Sequence, residues 1–147
     1  MASPQAVVLD DRLLIEELLV GLRRTRRRLE FHTTSYWYYR ACRAAVAGAG
    51  GHRSGPFEQR APTEQERGIL SLLELRDDIG LPDPRVTIPA MVDIAGRHPR
   101  LNLLNLEAAA SARVLSGIVW LSEESAAGVL PAALESEGLA WVAVSIP

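Results

Sequence analysis

Residues Asn102–Ser125 read NLLNLEAAASARVLSGIVWLSEES, and the change of period inside this stretch decides the fold. Its first half is rich in Ala and Leu and free of Pro, so it favours helix, with Asn105 placed to cap a helix from Leu106 to about Leu115. Its second half, Gly117-Ile118-Val119-Trp120-Leu121, is a short β-branched and aromatic run closed by Ser122-Glu123-Glu124, the pattern of a buried strand. Downstream the alternation repeats. A helix from about Ser125 to Glu137 stops at Gly138, and Ala140-Trp141-Val142-Ala143-Val144 forms a last strand. Upstream, Ala6-Val7-Val8-Leu9 is another uninterrupted apolar run, ended by Asp10-Asp11 and followed by a helix to Gly21 with Leu13, Leu14, Leu18 and Leu19 on one face. Strands alternating with helices predict right-handed crossovers and a three-layer α/β/α arrangement around a central parallel sheet.

The middle of the chain fits the same order. Leu29-Glu30-Phe31-His32-Thr33 reads as a second strand, and Ser35 as the N-cap of a helix through Tyr38, Cys42 and Val46. The glycine-rich stretch Gly48 to Pro56 reads as a loop. It follows a helix rather than a strand, so it is not a dinucleotide phosphate loop. Thr63 with Glu66 gives a capping-box pattern for a long helix through Ile69, Leu70, Leu72, Leu73 and Ile79. Leu81-Pro82-Asp83-Pro84 breaks it. Arg85 to Ile88 reads as a short strand, with Pro89 in the first turn of a helix that buries Met91, Val92 and Ile94.

A chain of 147 residues with 48% hydrophobic and 23% charged residues is sized for one folded domain, here spanning 1–147, and is not disordered or disulfide-stapled. The N-terminus has no basic start followed by an apolar run, and no segment approaches roughly 18 uninterrupted apolar residues, so a cytoplasmic protein without a membrane partner is expected. Cys42 is the sole cysteine, which leaves no internal disulfide and no zinc spacing. The net charge of −2 gives no global field for nucleic acid. All 16 basic residues are Arg, a bias of the kind GC-rich bacterial genomes produce. The lack of Lys excludes mechanisms that need a Schiff-base, phosphate-loop or receiver-domain lysine.

In open parallel sheets the functional crevice lies beyond the carboxyl ends of the strands, where Asp10, Asp11, Glu123 and Glu124 fall. Glu107 falls near a helix start. If that helix begins at the same edge, three segments bring carboxylates together, the ligand set that Mg²⁺ or Mn²⁺ requires. Each acid also has a structural explanation. Asp10 or Asp11 can cap a helix, and Glu107, Glu123 and Glu124 are each favoured by a helix dipole.

The order of strand-acid, helix-start acid, strand-acid, short helix and final strand resembles PIN domains. Ala6-Val7-Val8-Leu9-Asp10 with its Leu-rich helix resembles their opening, and Leu103 to Val144 their close. The resemblance implies a Mg²⁺- or Mn²⁺-dependent ribonuclease acting on RNA, of toxin type and held by an antitoxin. It implies metal and catalytic roles for Asp10, Glu107 and Glu123, with Glu124 and Asp11 as further metal ligands. The chain departs from the family in three ways. Asp11 stands where a small hydroxyl residue usually follows the first acid. The later acids are Glu rather than Asp. Ser35-Tyr36-Trp37-Tyr38-Tyr39-Arg40 carries no acid where the family has a Glu in the helix after the second strand. These departures imply either a weakened metal site or a non-catalytic relative that binds a protein or RNA partner.

A receiver domain would need a late Lys, and a haloacid-dehalogenase-like phosphatase would need Asp-x-Asp where Asp10-Asp11-Arg12 stands. Both are set aside. Tyr36, Trp37, Tyr38 and Tyr39 cannot all face one core, which suits either amphipathic packing with tyrosine hydroxyls in water or a homodimer or partner interface. Arg23, Arg24, Arg26, Arg27 and Arg28 put five Arg in six positions, a contact for phosphate or an acidic partner, or else a solvated run.

Overall fold

The uninterrupted apolar run after Pro4 becomes the strand about which the sheet is built, β1 (Gln5–Leu9). The computed structural model describes residues 3–22, 28–46 and 61–146. After β1 come α1 (Asp11–Leu19), β2 (Leu29–His32), α2 (Ser35–Ala45), α3 (Pro62–Leu73), α4 (Pro84–Arg97) and α5 (Leu103–Leu115). The chain closes with β3 (Ile118–Leu121), α6 (Glu123–Ala126), α7 (Leu130–Ser136) and β4 (Trp141–Ala143). The four strands are ordered β2-β1-β3-β4 and every pair is parallel, with Val7 opposite Phe31 on one side and Ile118 on the other.

Strand pleating sends alternate side chains to opposite faces, and both faces here are covered. Val7, Leu9 and Phe31 pack with Leu13, Leu14, Ala41 and Leu72 beneath α1, α2 and α3. Val8, Val119 and Leu121 pack with Ile94, the Ala-rich face of α5 and Leu130 and Leu134 of α7. The protein is thus α/β, a parallel four-stranded sheet between two helical layers, as the alternation predicts. No helix among the described residues is long and apolar enough to cross a membrane.

Two backbone features fix the α5–β3 junction at the amino edge of the sheet. Ser116 ends α5 in the left-handed region at φ 48°, its N–H bonded back to the helix. Gly117 then passes the Ala6 carbonyl so closely that a Cβ would meet that oxygen at 3.0 Å.

Several elements differ from the sequence reading. Residues 85–88 are helical, not a strand. Asp83 caps α4 by accepting from Arg85 N, and burial of Thr87 and Ile94, two turns apart, outweighs the local β-branched composition. Pro89 therefore sits inside α4 rather than in its first turn, and Val92 of the expected buried face is 69% exposed. Asn102 caps α5 in place of Asn105, and Thr34 caps α2 in place of Ser35. The Thr63–Glu66 capping box does not form, because α3 opens at Pro62 without a side-chain cap, and it ends at Leu73 rather than Ile79. The expected helix 125–137 is two short helices, α6 and α7. The glycine-rich stretch 48–56 lies outside the described residues.

Candidate functional site

Strand β1 delivers Asp10 to the carboxyl edge of the sheet, where it is fully buried. It is the N-cap of α1, with Oδ1 accepting from Leu13 N at 2.9 Å. Its Oδ2 accepts from Ser122 N at 2.8 Å and from the Ser122 hydroxyl at 2.6 Å, tying the end of β1 to the end of β3. Three donors, one of them at the positive end of α1, hold this buried carboxylate.

Beyond Asp10 opens a polar cleft of about 370 Å³, floored by Trp37 and bordered by Asp11, Arg12, Arg40, Asn102, Asn105 and Glu124. Arg12 of α1 pairs with Glu124 of α6 at 2.5 Å, and Arg40 of α2 faces Asp11 at 3.5 Å. Burial raises the Asp11 carboxyl above the ordinary carboxylate value, and the charge of Asp10 adds to this while Arg40 opposes it.

Glu107 is on α5 but lines a different cavity. Its Oε1 accepts from Tyr36 N at 2.9 Å and its Oε2 from Ser35 N at 3.1 Å, so it holds the first turn of α2 alongside the Thr34 cap. That cavity is an apolar groove of about 530 Å³ between α4 and α5, walled by Ile88, Met91, Val92, Leu103 and Leu106 and ended by Tyr36 and Glu107. Ile88, Val92 and Leu103 are each more than half exposed. Among the residues lining the groove, Glu107 is the sole charged one.

Of the sequence-predicted acids, Asp11 and Glu124 share the cleft and Asp10 lies behind it. Glu107 faces the groove, and Glu123 is exposed and accepts from the Ser145 hydroxyl at 2.9 Å. Among the described residues, no three of His, Cys, Asp and Glu form a group that could hold a metal ion. The donor set does not suit Mg²⁺ or Mn²⁺: two carboxylates reach the cleft, and each faces a guanidinium.

Arg12, Arg40, Asn102, Asn105 and, behind them, Ser122 shape the cleft and carry no site role in the sequence reading. The hydroxyl residue directly after an apolar strand was the available signal for Ser122. Arg23, Arg24, Arg26 and Arg27 lie outside the described residues. Arg28 is exposed at the start of β2, on the sheet edge opposite the cleft. The aromatic segment divides: Trp37 is buried, Tyr38 donates its hydroxyl to Leu72 O at 2.6 Å, and Tyr36 and Tyr39 are exposed.

Fold and cleft together define a three-layer α/β domain with an all-parallel sheet and a charge-paired crevice at its carboxyl edge. The chain matches no protein-family model and no curated protein. A similar solved structure is that of VapBC-1 from nontypeable Haemophilus influenzae, with a TM-score of 0.49 and 13% identity, covering 94% of this chain and 97% of that one.

Proposed function

We propose that residues 1–147 form one PIN-like domain that serves in the cytoplasm as a binding module for a protein partner, rather than as a metal-dependent ribonuclease. The observation that carries this reading is the commitment of the acids. Asp10 and Glu107 spend both carboxylate oxygens on main-chain N–H groups, while Asp11 and Glu124 face Arg40 and Arg12. Metal-assisted hydrolysis needs several carboxylates around one ion, and these four are divided between the cleft, the position behind it and the groove.

The apolar groove supports a protein as the ligand. A contiguous exposed apolar surface ending in one buried carboxylate suits an apolar helical segment that brings a basic side chain to Glu107, as an antitoxin-like partner could. The test is titration of a fluorescent Leu-faced helical peptide carrying one Arg, alongside the same peptide carrying Glu. Binding that prefers Arg and is lost in Val92→Glu supports the reading. A concentration-dependent homodimer broken by Val92→Glu would assign the groove to a second copy instead. A monomeric protein that binds neither peptide counts against it.

A second reading is a Mg²⁺- or Mn²⁺-dependent ribonuclease using Asp10, Glu107 and Glu123 with Asp11 or Glu124, and an RNA contact through Arg23 to Arg28. It is favoured by the place of Asp10, Asp11 and Glu124 at the carboxyl edge of the sheet. RNA cleavage in Mn²⁺ that Asp10→Asn abolishes, with the fold intact, would establish it and overturn the binding-only reading. RNA binding by the basic run must weaken steeply with salt.

A further inference from the structure

We infer that Arg12 and Arg40 are the resident cations of the cleft, neutralising Glu124 and Asp11 and barring a divalent ion from the space between them. Asp11 and Glu124 border the cleft with Asp10 behind, so carboxylates concentrate at one sheet edge and need counter-charge. The chain supplies it internally. Arg12 reaches from α1 to Glu124 on α6, and Arg40 reaches from α2 to Asp11 on α1, so the two pairs also link three elements at the cleft mouth.

An entering divalent ion would meet two positive charges and would have to displace each guanidinium from its carboxylate. It would gain little from Asp10, whose oxygens already accept three donors. A guanidinium does not deprotonate in the working range, so the barrier does not relax as pH rises, as it would with Lys or His in the same place.

This inference does not depend on the binding-module reading, because metal uptake is measured without RNA or partner. The experiment follows the free-ion signal of Mn²⁺ by electron paramagnetic resonance with wild type, Arg12→Gln/Arg40→Gln and Arg12→Gln/Arg40→Glu, the last adding a third carboxylate. Wild type is expected to leave the signal at its protein-free level between about pH 6 and pH 9. The Glu-containing variant is expected to take up about one ion per chain at least about tenfold more tightly than wild type, with the Gln pair between them. Adding Asp11→Asn should reverse the gain, and Mn²⁺ should raise the melting temperature of the variants alone. Wild-type uptake as tight as that of the variants, or no tightening in either variant, would overturn the inference. If circular dichroism shows the double variants unfolded, Arg12→Gln alone, at the more exposed pair, carries the same comparison with wild type. RNA cleavage by a wild type that takes up no Mn²⁺ would overturn the functional reading and leave this inference standing.

Discussion

Asp10 and Ser122 sit at the ends of adjacent parallel strands and are joined twice, through the main-chain N–H and the hydroxyl of Ser122, both donating to Oδ2 of Asp10. The other oxygen starts α1. One buried carboxylate therefore fixes where β1 ends, where α1 begins and how β3 lies against them, which is a structural task.

Asp10→Asn should accordingly destabilise the fold. The carboxamide can still accept from Leu13 N, but its NH₂ then opposes the Ser122 N–H, donor against donor. The expected loss is roughly 1–3 kcal/mol, with Ser122→Ala costing less because its main-chain bond survives. Denaturant midpoints and a double-mutant cycle measure both losses and their coupling. An unchanged midpoint in Asp10→Asn would remove the structural task assigned to this carboxylate.

Glu107 should be felt at a distance along the chain. Its partners Ser35 and Tyr36 are 72 and 71 residues away, and they are N–H groups in the first turn of α2. Glu107→Gln keeps one acceptor and loses the charge at the helix N-terminus, an expected cost on the order of 1–2 kcal/mol. Amide exchange at Ser35 and Tyr36 should accelerate beyond the global change. Uniform acceleration across the chain would show that Glu107 does not act through α2.

These two residues mark the limit of what the sequence discloses. The strands were legible because parallel strands buried on both faces are unbroken apolar runs, as in Val7-Val8-Leu9 and Ile118-Val119-Trp120-Leu121. The cap role of Asp10 was legible because its partner Leu13 is three residues on. The role of Glu107 was not, since nothing local announces a bond across that separation. Val86-Thr87-Ile88 misled because β-branching is a local preference, whereas burial of Thr87 and Ile94 in α4 is decided by tertiary packing. Arg12 and Arg40 carry no spacing that identifies their partners. Their role exists only once α1, α2 and α6 meet.

The clamp across α4, α5 and α7 should show in acid. Arg97 bonds Asp93 and Glu137, His98 also bonds Glu137, and Arg113 bonds Asp93. Arg97 first, then His98, lowers the Glu137 carboxyl from 4.5 to about 2, and Arg97 and Arg113 lower Asp93 as well. A depressed folded value means the contribution is complete above the ordinary carboxylate range and is lost as pH falls from about 4.5 towards 2. The melting-temperature gap between wild type and Arg97→Ala should be largest near neutral pH and shrink over that interval. A gap independent of pH would mean that Arg97 acts by packing alone.

Asp11 should behave in the opposite sense. Burial, reinforced by Asp10, raises its carboxyl above 3.8 and Arg40 offsets only part of this, so the charged form of Asp11 is a net cost to the folded state. That cost is full at neutral pH and fades as pH falls through the raised folded value towards 3.8, because the folded state holds the proton more tightly than the unfolded one. Asp11→Asn removes the charge while keeping shape and hydrogen-bonding capacity. It frees Arg40, whose side chain is 54% exposed and can return to water at little expense. The variant should melt higher than wild type at pH 7, by about 2–4 °C for each kcal/mol relieved, and the two curves should converge on acidification. A variant less stable than wild type at neutral pH would show that pairing with Arg40 outweighs the burial cost, and that the cleft is held together by its ion pairs.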